Sequence, residues 1–299
     1  MKCPKPILLL LFCITSSGFT QTQVRFVNAD DADFYEWFHS RSQIADLYVP
    51  GTNLIVFADE APVFSSATAS SETVARLTLG AVVRNESDYR DQLFIPQAEV
   101  NGYLDNWYEV SGRDDAGKTF RGYIWGGYLA KGWRNASLTG AQRDDLILLG
   151  VSQKKRTSFT DISAEIRVLQ GRQLIAKTLI PGLCVFEECQ STPLLRAIPG
   201  PVAGQLMIEA STMTVGCLSG TERAFLYWDG SKLQCAYHAE YTVNRQYVNK
   251  SFQVRNGGTA MVCRYNGIDR NFEPVWDCKP ASKPATTAKA AVAAAKPKA

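Results

Sequence analysis

Trp107-Tyr108-Glu109-Val110 and Gly122-Tyr123-Ile124-Trp125-Gly126-Gly127-Tyr128-Leu129, separated by a polar turn carrying Asp114, Asp115 and Gly117, decide how this 299-residue chain is read. Aromatic and β-branched residues interleave with small and polar ones on both sides of a Gly-bearing loop, the pattern of two short strands meeting across a turn. Alternation along the second strand sets Tyr123 and Trp125 on one face and Ile124 on the other. The two rings therefore either line a groove together or fill a core together. Acids in such a turn ordinarily serve the turn itself, so Asp114 and Asp115 are turn residues before they are catalytic candidates.

Toward the N-terminus, Asn53-Leu54-Ile55-Val56 reads as a short strand and Ala58 to Thr73 as a Ser/Ala/Thr-rich loop. Val74 to Leu79 and Val82-Val83 then read as strands joined at Gly80. In this order (apolar strand, small-residue loop, strand with a Gly turn, Trp-Tyr-x-Val strand, Gly-aromatic-Ile strand, Tyr-Leu), residues 50–133 resemble the bacterial SH3 (SH3b) domain. The resemblance implies a small SH3-like barrel in an exported protein, of a kind that often binds cell-wall material. The chain departs from that pattern in two places. The arginine usual in the first strand is missing from Ile55-Val56-Phe57-Ala58, and an insertion, Ser87 to Asn106, precedes Trp107. On this reading Trp107, Tyr108, Tyr123, Trp125 and Tyr128, with Tyr89 and Tyr103 from the insertion, are the candidate ligand-binding rings. The competing assignment is the interior, which large aromatics dominate in a small barrel.

Lys2 and Lys5 precede the apolar run Pro6 to Ile14, which is too short to span a bilayer, and small residues follow it. Residues 1–20 are thus expected to be a signal peptide, and no later run is long enough for a transmembrane segment. The formal charge of +3 is carried by the ends: the signal region supplies two lysines and the last 21 residues five, leaving residues 21–278 at about −4. That balance argues against a nucleic-acid partner. The tail, residues 279–299, is mostly Lys, Ala, Pro and Thr without an aromatic or an acid, a composition expected to stay disordered. It reads as a solvated end or as a weak contact for anionic polymer.

Residues 21–49 form an N-terminal segment in which Asp30, Asp31 and Asp33 precede Phe34, Trp37 and Phe38, predicting a short amphipathic helix that packs onto the next domain. The polar run Arg134 to Gly140 marks a domain boundary, and residues 141–278 read as an all-β domain. There Ile166 and Val168 alternate with Glu165 and Arg167, predicting a half-exposed strand, and Phe225 to Trp228 faces Leu233 across Asp229-Gly230, predicting a hairpin. Tyr227-Trp228-Asp229-Gly230 resembles a propeller hairpin, but a single copy favours a sandwich or an incomplete propeller-like sheet. The expected fold class is mainly β: a small SH3-like barrel followed by a disulfide-containing antiparallel β domain.

Six cysteines remain after signal removal, and an even number in an exported chain reads as disulfides. Fifteen pairings are open. Sequence neighbours give Cys184–Cys189, Cys217–Cys235 and Cys263–Cys278, with Leu233, Cys235 and Tyr237 expected on one strand face and His238 on the other. Zinc would want Cys-x-x-Cys or Cys/His spacing, so no metal or cofactor is expected. Catalytic motifs are also missing: there is no Gly-x-Ser-x-Gly and no His-Glu-x-x-His, and the mature chain has only His39 and His238. The expectation is a non-catalytic binding protein of the bacterial envelope, periplasmic or extracellular, recognising cell-wall peptidoglycan (peptide or glycan) or another envelope protein. The alternatives are a cell-wall hydrolase with an unrecognised carboxylate site and a structural subunit of an envelope assembly.

Overall fold

The computed structural model describes residues 32–89, 94–158, 161–214, 220–240, 245–249, 251–256 and 259–281. The expected signal peptide, Cys217 and the tail beyond residue 281 lie outside them. The described chain is mainly β, and every strand pairing is antiparallel.

The first unit contains β1 (Asn53–Ile55), β2 (Glu60–Phe64), β3 (Thr73–Thr78), β4 (Val82–Asn85), β5 (Gln97–Val100), β6 (Tyr103–Arg113) and β7 (Thr119–Trp125). Their order is β1-β4-β6-β7-β2-β3, with β5 on β6. The sheet curls so that Val56 bridges Leu129 and the Phe57 N–H donates to the Tyr128 carbonyl at 2.8 Å. Two strands lie where the sequence suggested none. β2 occupies the expected small-residue loop; its Pro62 faces Arg76 of β3, and the strand touches β7 only at Phe64, so the missing N–H breaks no ladder. β5 and the start of β6 form a hairpin within the insertion, turning at Asn101-Gly102 with φ of 56° and 83°. That is the geometry for which Asn-Gly is the strongest short-range signal.

The second unit begins earlier than the expected boundary. β8 (Gly132–Ala136) pairs with β9 (Asp145–Val151), so the polar connection starts only after Ala136. β10 (Ser163–Gln170) and β11 (Gln173–Pro181) complete a four-stranded sheet. A five-stranded sheet follows: β12 (Ser191–Pro199), β13 (Leu206–Thr214), β14 (Gly220–Trp228), β15 (Leu233–Glu240) and β16 (Arg245–Asn249). β17 (Phe252–Asn256), β18 (Thr259–Ile268) and β19 (Pro274–Pro280) make the last sheet, so strand structure continues two residues into the expected tail.

The five-stranded sheet is buried on both faces. Ile208, Ala210 and Leu226 pack with Ile147, Leu149, Ile166 and Val168 of the four-stranded sheet, whereas Met207, Phe225 and Tyr237 pack with Phe252, Val254 and Cys263 of the last. β13 accordingly reads as almost continuous burial, as a doubly covered strand must. The same layering corrects the reading of β10. Glu165 and Arg167, expected in solvent, are 4 % and 1 % exposed because the first unit covers that face. The Arg167 guanidinium donates to the Phe57 carbonyl (2.8 Å), Asp59 (2.7 Å) and Glu165 (2.7 Å).

Alternation also fails in β15. A register shift opposite Phe225/Leu226 places Leu226 across from Cys235 but Phe225 across from Tyr237. This bulge turns Leu233 toward one core and Tyr237 toward the other, so Leu233, Cys235 and Tyr237 do not share a face. Cys184–Cys189 and Cys263–Cys278 are disulfides with Cα separations of 6.1 Å and 4.1 Å, the second between register partners of β18 and β19. Closing a loop of that second kind contributes about 3 kcal/mol in the chain-entropy picture. The third expected pairing cannot be followed, since Cys217 is outside the described residues.

The N-terminal segment straps the units together. α1 (Ala32–His39) buries Phe34 and Phe38 against Leu194, Met213, Ile268 and Phe272, so it packs on the second unit rather than on the barrel that follows it in sequence. The 3-10 turn Ile44–Leu47 is held by Asn85, whose buried amide donates to the carbonyls of Leu47 (3.0 Å), Val49 (3.1 Å) and Asp46 (3.3 Å). An Asn-x-Ser sequence begins at Asn85, and this nitrogen is fully engaged inside the fold.

Candidate functional site

The seven candidate rings do not share an open surface. Trp107 and Trp125 are register partners on β6 and β7, 1 % and 2 % exposed, and belong with Phe64 to the core that reaches Ile147, Leu149 and Leu195 of the second unit. Tyr108, one residue on, points the opposite way into the interior of the first unit with Leu54, Val56 and Ile124. Tyr103 stacks edge-on to Phe186 at 5.1 Å, and Tyr89 is buried with its hydroxyl donating to the Trp107 carbonyl. Tyr123 and Tyr128 remain half-buried, the latter against Trp125. Trp107, Trp125 and Tyr103 join the two units, and a ring packed on both faces has none left for a ligand. Asp114 caps its own turn, accepting from the N–H groups of Ala116 (3.0 Å) and Lys118 (2.8 Å). Asp115 ties that turn to Thr78 (3.0 Å) and Arg172 (2.6 Å), hydrogen bonds that lower its pKa.

The acids of the second unit are also largely committed. Glu209 of β13, fully buried, accepts from Arg196 of β12 at 2.6 Å, from Arg223 of β14 at 2.6 Å and from Ser211 at 2.9 Å. Register sets Arg196 beside Glu209 and Arg223 beside Ser211, so three adjacent strands assemble the network, and α1 closes over it with Trp37 4.6 Å from the Arg196 guanidinium. His39 lies at the end of α1 with its pKa lowered by burial, and His238 Nε2 is 3.8 Å from Glu222. No group of three or more His, Cys, Asp or Glu side chains is arranged to hold a metal among the described residues.

An open groove of 760 Å³ lies elsewhere, where the Val202–Gln205 hairpin, the end of β14 and strand β17 meet. Its wall includes Tyr227, whose ring lies 4.8 Å from that of Phe252, together with Trp228, Gln205, Gln253, Ser251 and Arg255. The Gln205 side-chain oxygen is shielded from solvent and has no hydrogen-bond partner. The Tyr227 phenol is pushed up by burial and then by the Asp229 charge, so it stays protonated and can donate. Asp229 is the one carboxylate among the described lining residues. One of its oxygens accepts from the Ser231 and Lys232 N–H groups at 2.9 Å each, and the other from Gln234 at 2.7 Å, bonds that hold its carboxyl far below the usual range. A shallower depression of 470 Å³ crosses Asn53, Val82, Arg84, Arg113 and Phe120 of the first unit.

Sequence reasoning quoted Tyr227 and Trp228 only as a hairpin. Gln205, Gln253 and Arg255 carried no signal, because three segments far apart in the chain build the groove. No protein-family model and no curated protein matches the chain.

Proposed function

We propose that the protein is an exported, non-catalytic binding protein of the bacterial envelope that holds cell-wall glycan in the groove beside the β14–β15 hairpin. The observation that carries this reading is the make-up of the groove wall: a half-buried phenol ring, the carboxamides of Gln205 and Gln253, and the Arg255 guanidinium. A sugar offers an apolar ring face to an aromatic and hydroxyls to planar amide groups, and this wall presents both. Glycoside cleavage needs two carboxylates flanking the bond, 5 Å or more apart, and the groove supplies one that is already tied into its turn. Two disulfides fit an oxidising compartment, and no helix among the described residues is long and apolar enough to cross a membrane. The SH3b-like pattern of residues 50–133 supports an envelope setting, with that unit as the platform on which the second is built.

Retention of the mature protein on purified peptidoglycan tests this reading. Tyr227→Ala is expected to weaken retention about tenfold, the value of one stacking ring, while the buried rings stay packed. Undiminished retention of that variant would remove the groove from the interaction. Release of soluble sugar fragments would replace the binding protein with a hydrolase.

A further inference from the structure

A second cavity, smaller at 250 Å³ and more enclosed, lies between the Ile44–Leu47 turn, Lys131 and the loop closed by Cys184–Cys189. Ile44, Leu47, Val185 and Phe186 give it apolar walls, and the polar groups at its lining are unequally matched. Lys131, 3 % exposed, has both oxygens of the fully buried Asp105 within 3.0 Å, so this pair is internally neutral. Glu187 accepts the Tyr48 hydroxyl at 3.0 Å but has no cation within ion-pair distance among the described residues. Arg156 is engaged by the neighbouring Glu188 at 2.9 Å and by the Gly102 carbonyl at 3.1 Å. One negative charge therefore stands unneutralised at an apolar cavity. Burial, then the Glu187 carboxylate beside it, push the Tyr48 phenol well above its usual range.

The loop is fixed where it presents this carboxylate. The disulfide closes it, and Gln190, next in the lining, caps the 3-10 turn Glu187–Cys189 at φ 48°, its N–H donating to the Glu187 carbonyl at 2.9 Å. A preset carboxylate facing apolar walls complements a cation on an aliphatic stem. An anionic ligand would meet Glu187 unscreened and find Lys131 already paired.

We propose that this cavity binds the primary ammonium group of a lysine-type amino-acid side chain, with Glu187 as its counter-ion and Ile44, Leu47, Val185 and Phe186 around its methylene stem. The proposal does not rest on the groove. Calorimetric titration of the mature protein with Nα-acetyl-lysine methylamide is the test, against the same compound acetylated on its Nε and against glutarate. The amine is expected to bind, and the Nε-acetylated compound and glutarate to bind at least tenfold more weakly. Glu187→Gln should weaken the amine at least tenfold with an unchanged melting temperature, since Gln still accepts the Tyr48 hydroxyl. Tyr227→Ala should leave amine binding unaltered, separating this site from the groove. No amine binding by the unmodified protein, equal binding of the acetylated compound, preferential glutarate binding, or full affinity in Glu187→Gln would each overturn the proposal.

Discussion

Glu209→Leu is expected to destabilise the protein by roughly 3–5 kcal/mol, because it leaves buried guanidinium groups facing one another without their carboxylate. Arg223 is 1 % exposed and has Glu209 at 2.6 Å, and Arg196 has Glu209 at 2.6 Å and Glu273 at 2.7 Å. Urea unfolding at neutral pH measures the loss. Acid provides a second readout. Burial alone would raise the Glu209 pKa, but Arg196 and Arg223 outweigh it and hold the carboxyl below its ordinary value of 4.5. A carboxylate with a depressed folded pKa contributes stability that is present above the unfolded value and lost as pH falls through the folded one. The urea midpoint of the wild type should therefore drop as pH falls below 4.5, and that part of the drop should be absent in Glu209→Leu.

Lys131→Met is expected to cost a similar amount, roughly 3–5 kcal/mol, by stranding the Asp105 carboxylate in the interior. Asp105 differs from Glu209 in sign. Burial raises its pKa more than Lys131 and the Asn106 N–H lower it, so its folded value lies above its ordinary 3.8. Such a group favours the folded state fully below the unfolded pKa and loses that contribution as pH rises through the folded value. The penalty of Lys131→Met should therefore shrink in acid, where Asp105 becomes neutral and needs no partner. At neutral pH the double variant Lys131→Met/Asp105→Leu should recover most of the single variant's loss, since an apolar pair of similar volume replaces a buried ion pair at little cost. Urea unfolding of the single and double variants at pH 4 and pH 7 gives all four values.

The sequence made the local β pattern legible and left the layering hidden. Trp107, Tyr123 and Trp125 marked β6 and β7 correctly, and Asp229-Gly230 marked the β14–β15 hairpin, because period-two alternation and turn chemistry are local. The Asn101-Gly102 turn carries an equally local hairpin signal, within the segment that departs from the SH3b-like pattern. Pro62 concealed β2, since proline argues against a strand unless one side needs no N–H. Glu165 and Arg167 misled for another reason. A charged residue in an alternating strand is ordinarily solvent-facing, and only the stacking of a further layer, with arginine partners from other strands, puts it inside. The bulge in β15 moved Tyr237 to the opposite face from Leu233 without any sign in composition. The candidate aromatic surface is divided for a related cause: Trp107, Trp125 and Tyr103 are buried against the second unit, a packing that no local pattern announces, while Tyr108 and Tyr89 fill the first. The groove was illegible because it joins three segments about 20 residues apart, and the Glu187 cavity because its segments lie more than 50 residues apart.

Amide hydrogen exchange of the mature protein, alone and saturated with solubilised cell-wall glycan, bears on whether the groove is where recognition happens. Exchange should slow at residues 202–205, 227–229 and 251–255, with Trp107 to Tyr128 unchanged. Protection confined to residues 107–128, or glycan binding that leaves the groove segments exchanging as before, would contradict it.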